Sequence, residues 1–266
     1  MPELKQALRN ISLIILDMDG VVYLGNKPLE GAARAVAFLR GSGKKVVFLT
    51  NNSESPRSFY VRKLRSMGIA AGEENVITSG QVAADYIRGR DPQAKVFVIG
   101  GPGLVEEIRR AALKLVGPEE ADYLVVGIDR ELTYQKLADG LRALLAGAKF
   151  IATNPDRVYP TEKGLLPGAG AIVAALERCS GRKPDVVIGK PSPQIIRFVL
   201  RAFGAKPQET AIVGDQIETD VKAGKRVGLL TILVLTGVVK KEDVEKARGT
   251  KNFPDFVVDS LEGVIV

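Results

Sequence analysis

Short runs of branched aliphatic residues alternate along the chain with longer stretches whose apolar positions recur at helical spacing. Ile11, Leu13, Ile14, Ile15 and Leu16 form a near-continuous apolar run, the pattern of a strand covered on both faces in a parallel sheet. Residues 31–40 are rich in Ala and Leu and close on Gly41 and Gly43, predicting a helix and its stop, and residues 46–49 predict a second buried strand. Ser55-Pro56 supplies a helix start, Tyr60, Leu64 and Met67 give a helical stripe, and Gly68 ends it. Strand, helix, strand, helix in this order predicts an α/β fold built on a parallel sheet.

From about residue 79 to about 186 the alternation continues as a set of its own. Residues 96–99, 123–126 and 150–153 predict strands, and residues 104–113 and 133–146 predict helices, the second with Leu137, Leu141 and Leu144 on one face. Pro167-Gly168-Ala169-Gly170 opens a further helix. Residues 186–188, 211–213 and 229–235 then read as strands, with a helix over 193–203. No linker rich in Pro, Gly or Ser marks the boundaries between these sets, and no internal repeat is visible.

At 266 residues, 45% hydrophobic and 26% charged, the chain has the composition of a globular protein long enough for one large or two smaller domains. No apolar run approaches the roughly 20 residues of a membrane span. The charged N-terminus runs into a short strand pattern rather than a signal peptide, so a cytoplasmic protein is expected. The single Cys179 excludes an internal disulfide and is expected to be buried filler. The absence of histidine removes Ser-His, Cys-His and His-metal chemistry altogether. A net charge of +7 is spread without a basic run longer than two, and only 6% of residues are aromatic. That pattern suits attraction of small anions better than binding of nucleic acid.

The candidate chemistry sits where predicted strands end. Asp17 and Asp19, two residues apart in DMDG, follow the first apolar run, and ligands in parallel sheets bind at the carboxyl ends of strands. Two crowded carboxylates raise each other's pKa and call for a cation, a proton donor or both. A solvated turn is the alternative for this string alone. Thr50-Asn51-Asn52, Gly189-Lys190-Pro191 and the segment GDQIETD, with Asp215 and Asp220, close three further predicted strands. Each is weak by itself, and four such ends in order make a site for phosphate or metal.

With these residues in view, the chain resembles the haloacid dehalogenase superfamily, and within it the NagD-like subfamily IIA phosphatases, over nearly its full length. DMDGVVYLG at 17–25, LTNNS at 49–53, GKPSP at 189–193 and VGDQIETDV at 213–221 match the four motifs of that family, and GLLTILVLTG at 228–237 is similar to the subfamily. The resemblance implies a doubly wound parallel-sheet core formed by residues 1–78 and 187–266. It also implies an inserted α/β cap domain over residues 79–186.

It further implies roles. Asp17 would be the nucleophile and Asp19 the general acid and base, a pair that alternation along a strand lets face one phosphate. Mg2+ would be held by Asp17, Asp215 and the backbone carbonyl of Asp19, with Asp220 orienting Asp215 or a bound water, or else acting as a helix-start carboxylate. Lys190, the Thr50 hydroxyl, the Asn51 backbone N–H and Asn52 would bind the phosphate. The fourth motif departs from the family where Gln216 and Glu218 stand. In the cap, Asn154 or Asp156 could read a substrate hydroxyl or amine, and the glycine-rich helix start could receive a polar group; a capped turn is the alternative for each.

The expected partner is therefore a small phosphate monoester, such as a sugar phosphate, a nucleotide or the artificial p-nitrophenyl phosphate, with no nucleic acid or membrane involved and a homodimer through the cap possible. Two other readings compete. A receiver-type regulatory domain needs about half this length and has no proton donor at the position of Asp19, and an anion-binding α/β protein leaves the acids without a purpose.

Overall fold

The computed structural model describes residues 2–161 and 164–265. Its regular elements run, in chain order, α1 (Pro2–Leu8), β1 (Leu13–Asp17), β2 (Tyr23–Leu24), β3 (Lys27–Pro28), α2 (Ala32–Gly41), β4 (Lys45–Thr50), α3 (Arg57–Ser66), β5 (Val76–Thr78) and α4 (Ser79–Arg88). There follow β6 (Lys95–Ile99), α5 (Pro102–Arg110), β7 (Lys114–Leu115), β8 (Tyr123–Val126), α6 (Tyr134–Leu145), β9 (Lys149–Ala152), β10 (Val158–Thr161), β11 (Gly164–Pro167), α7 (Ala169–Ser180) and β12 (Val186–Val187). The chain closes with α8 (Pro193–Phe203), β13 (Thr210–Gly214), α9 (Lys222–Val227), β14 (Leu230–Val234), α10 (Lys241–Ala247) and β15 (Phe256–Val258).

The fold is α/β with two parallel sheets, and the chain divides into two compact units. The first comprises Met1–Leu49, Val61–Ile77 and Lys190–Val266; the second comprises Thr50–Tyr60 and Thr78–Gly189. Residues 50–60 thus pack with the second unit, although the sequence pattern groups them with the first.

In the first unit the six-stranded sheet has the order β15-β14-β13-β1-β4-β5. Leu13, Ile14, Ile15 and Leu16 are all fully buried, as a strand covered on both faces must be, and each contributes about 2 kcal/mol of transfer free energy. From β1 the chain turns one way to β4 and β5 and later returns on the other side with β13, which makes the β1/β13 boundary the topological switch point where open α/β sheets bind ligands. Leu16 lies opposite Val213 and Asp17 opposite Leu49. The register therefore sets Asp17 beside the end of β13, just before Asp215.

The second unit carries its own parallel sheet, β12-β9-β8-β6-β7. Phe150, Leu124, Val126, Ile99 and Leu176 pack as its core, with Leu144 of α6 and Val173 of α7. Gly140 lets α6 come close, because a Cβ there would lie 2.7 Å from Ile99 and 2.8 Å from Leu176. Thr133 and Ser192 cap α6 and α8 through their side chains. The hairpins β2-β3 and β10-β11 are too short and irregular to have been read from periodicity.

One sequence expectation is corrected. Cys179 is exposed, not buried, because the buried stripe of α7 ends at Leu176 and Cys179 falls in the last turn, its Sγ donating to the Leu176 carbonyl at 3.5 Å. Lys190 follows β12 of the second sheet, whereas Asp17, Thr50 and Asp215 stand at the ends of β1, β4 and β13 of the first. Among the described residues no helix is long and apolar enough to cross a membrane.

Candidate active site

Asp17 is the last residue of β1, and Asp19 lies in the tight turn that follows, where Gly20 N–H donates to the Tyr23 carbonyl at 2.7 Å. Gly20 has φ +86 and an added Cβ would lie 2.5 Å from Asp215 Oδ2, so both the turn and the close approach of Asp215 exclude a side chain. Asp215 directly follows β13. Its Oδ2 accepts from Val238 N–H at 2.8 Å, and Thr236 Oγ1 donates to the Gly20 carbonyl at 2.6 Å, which ties the loop after β14 to the same turn. A Cβ at Gly237 would overlap the Asp215 carboxylate.

Asp220 is buried in the short helical turn after β13, brought there by Gly214, whose lack of a side chain leaves room for its Cβ. One of its oxygens accepts from Lys190 at 2.6 Å; the other accepts from Gln216 N–H and Thr219 Oγ1, each at 3.2 Å. Lys190, 3% exposed, also donates to Asp17 Oδ1. Asp220 thus holds Lys190 while closing its own turn, beside Asp17 and Asp215. Glu218 points outward to Lys222 at 2.6 Å and takes no part in the cluster.

Carboxylate oxygens of Asp17, Asp215 and Asp220 lie within 4.8 Å of one another. Burial, then the neighbouring Asp220, pushes the Asp215 carboxyl up to about 7. Burial raises Asp17 well above the ordinary range, with Lys190 opposing and Asp220 and Asp215 adding to the rise. Burial also raises Asp19, against a long bond from Gly25 N–H and the charge of Lys63. Lys190 goes up, its two carboxylate partners outweighing burial.

Buried Asp215 Oδ1 meets no hydrogen-bond donor among the described residues. An all-oxygen donor set with one such orphaned oxygen, and no His or Cys, fits a hard divalent cation such as magnesium.

The other candidates lie in the second unit. Thr50 ends β4, and its Oγ1 accepts from Asn52 N–H at 3.1 Å. Asn52 Oδ1 closes a turn onto Glu54 N–H at 2.8 Å. Asn51 Nδ2 donates to Asp156 Oδ2 at 3.0 Å, and the Asn51 carbonyl accepts from Asn154 Nδ2 at 2.8 Å and from Ser79 Oγ. The glycine-rich start of α7 serves packing: Gly170 N–H donates to the Asp156 carbonyl at 2.9 Å, and a Cβ at Gly168 would overlap that same carbonyl. Ser79, at the start of α4, and Thr236 and Val238, in the loop after β14, were not singled out from the sequence, because their partners lie far away in the chain.

Two family models match the chain, a haloacid dehalogenase-like hydrolase model over residues 14–114 and a HAD-hydrolase-like model over residues 187–264. The acid sugar phosphatase of Staphylococcus aureus is 39% identical over 247 residues, 93% of each chain. The p-nitrophenyl phosphatase of Archaeoglobus fulgidus superposes with a TM-score of 0.90 at 42% identity, covering 95% of this chain and 97% of its own. The glycerol phosphate phosphatase of Mycobacterium tuberculosis, solved in complex with magnesium, gives a TM-score of 0.90 at 31% identity, covering 97% of this chain and 77% of its own. Likeness of this extent and identity sets aside the receiver-type and anion-binding readings, and the chain belongs to the phosphatases of the haloacid dehalogenase-like hydrolase family.

Proposed function

We propose that this chain hydrolyses small phosphate monoesters, sugar phosphates foremost, by a magnesium-dependent reaction through an aspartyl phosphate on Asp17. The observation that carries this reading is the clustering of Asp17, Asp215 and Asp220 at the sheet's switch point, with one buried lysine paired to Asp17 and Asp220. The first unit is then the catalytic core and the inserted residues 78–189 the cap. Sugar phosphate is the substrate class suggested by the Staphylococcus aureus relative.

In the first step an Asp17 carboxylate oxygen attacks phosphorus, the bond from phosphorus to the ester oxygen breaks, and Asp19 gives its proton to that oxygen. The raised Asp19 carboxyl favours holding that proton beforehand. Water then attacks the phosphorus of the Asp17 phosphate, Asp19 takes the water's proton, and the bond to Asp17 breaks to release inorganic phosphate. Lys190 opposes the burial that raises Asp17 and offsets charge on the phosphate oxygens, itself held by Asp220. Thr50, Asn51 and Asn52 are assigned to the phosphate on the family pattern. Asp17, Asp215 and the Asp19 carbonyl would hold magnesium, which when bound supplies positive charge for the phosphate oxygens.

Phosphate release from p-nitrophenyl phosphate and a panel of sugar phosphates, with magnesium and with a chelator, tests the reading. Turnover only with magnesium, lost in Asp17→Asn, is the expected result. An unimpaired Asp17→Asn enzyme overturns the mechanism, and no release from any monoester overturns the function.

A further inference from the structure

We infer that Asn154 and Asp156 are positioning residues of the reaction: they hold Asn51, and with it the Thr50-Asn51-Asn52 segment, in the conformation that receives phosphate, and do not read the substrate. The inference rests on the reading of Asn51 given above.

Asn154 is 1% exposed and its polar atoms are spent inside the protein. Its Nδ2 donates to the Asn51 carbonyl at 2.8 Å and faces Thr153 Oγ1 at 3.5 Å, while its Oδ1 accepts from Asp156 N–H at 3.1 Å. Both amide hydrogens are used, and the second lone pair of Oδ1 belongs to a side chain buried from solvent. Asp156 Oδ2 accepts from Asn51 Nδ2 at 3.0 Å, and the Asp156 backbone is itself fixed by Gly168 and Gly170 at the start of α7. Gly189 closes the cluster: its N–H donates to the Thr153 carbonyl at 2.8 Å, and a Cβ there would lie 2.5 Å from Asn51 Oδ1. The same segment is pinned again at Ser53, which donates to Thr153 Oγ1 at 3.3 Å, and at Glu54, whose carbonyl accepts from Gly103 N–H at 2.7 Å. Residues distant in sequence thus determine the backbone at Asn51, and Gly189 immediately precedes Lys190.

A residue that positions the phosphate-binding segment affects every substrate alike, since all share the phosphate. A residue that reads the leaving group affects them unequally. The test measures kcat and KM for p-nitrophenyl phosphate and for a sugar phosphate, together with inhibition by inorganic phosphate, in Asn154→Asp, Asp156→Ala and Asp156→Asn, with a thermal melt of each. Asn154→Asp keeps the acceptor for Asp156 N–H, and in place of the donor to Asn51 sets a carboxylate oxygen against the Asn51 carbonyl. Asn154→Asp and Asp156→Ala should weaken phosphate inhibition and lower kcat/KM for both substrates by the same factor, roughly three- to tenfold, the scale of one lost hydrogen bond. Asp156→Asn keeps an oxygen for Asn51 Nδ2 and should restore both.

Losses confined to one substrate with phosphate inhibition unchanged, or no loss at all, overturn the inference. Should Asp156→Ala not fold, Asn154→Asp decides by the same criteria. A wild-type enzyme without phosphatase activity overturns the underlying reading and the inference with it, whereas an active wild type with unchanged variants overturns the inference alone.

Discussion

The two polar clusters of this molecule are built on opposite principles. Around Lys190 three carboxylates crowd at the switch point of the first sheet, Asp215 Oδ1 is left without a donor among the described residues, and burial drives the acids toward their neutral forms. Around Asn51 the second unit gathers amides, hydroxyls and a single carboxylate, and the side chain of Asn154 has its donors and acceptor matched within the protein. The first arrangement is costly by itself and is stabilised by what binds to it; the second is satisfied and holds a shape. A reactive centre is recognised by what it leaves unbalanced, and its supports by what they complete.

Breaking the charged cluster should have the largest effects. Asp17→Asn should lower kcat by several orders of magnitude, as loss of a nucleophile does. Its melting temperature should stay equal or rise, because one of three mutually repelling buried acids becomes neutral. A clear fall in melting temperature would show instead that the Asp17 to Lys190 pair outweighs that repulsion.

Lys190→Ala leaves Asp17 and Asp220 facing each other without a cation and should destabilise the protein by about 3–5 kcal/mol in urea unfolding. Adding Asp220→Asn should recover part of that loss. If the double variant is no more stable than the single one, the two groups are not coupled as the structure has them.

In the second unit Arg57 grips Glu107 with two bonds, at 2.7 and 3.3 Å, where Glu107 is 4% exposed. Arg57→Ala should cost about 2–3 kcal/mol by the same assay, from a hydrogen-bonded carboxylate left buried. Its effect on inhibition by inorganic phosphate should be small, which separates general support of the unit from the specific hold on Asn51.

The smallest effect lies away from both clusters. Burial alone would raise Asp255, but Lys225 and the N–H and hydroxyl of Thr231, the last two at 2.8 Å, outweigh it and hold its carboxyl below the ordinary 3.8. A depressed acid stabilises the folded state above its unfolded value and loses that contribution as pH falls through the folded one. Stability should therefore drop below about pH 4, and Asp255→Asn should cost about 1 kcal/mol at neutral pH and flatten that part of the profile.

How much could be read in advance differs between the same two regions. The strand over residues 13–16 and the helix α8 stand where periodicity puts them, since apolar spacing is a local property and burial follows it. Asp17, Asp215, Asp220 and Lys190 could be singled out because each lies at the end of a regular element or a few residues after it. Asn51 and Asn154 were singled out separately, as a phosphate binder and as a substrate reader or a capped turn, and their bond to each other was not legible because it joins positions 103 residues apart. Cys179 misled because helical spacing continued one turn beyond the surface that α7 buries.

The amino-acid sequence by itself determined the α/β alternation, the acids at the ends of strands and the exclusion of any chemistry that needs histidine, because these depend on residue type and on neighbours a few positions away. Only the tertiary structure decided that Asp220 holds Lys190, that Gly20 and Gly237 make room for Asp215, and that residues 50–60 pack with the second unit. Those outcomes turn on register, on close approach and on hydrogen bonds between distant segments, and no local pattern records what a folded chain brings within 3 Å.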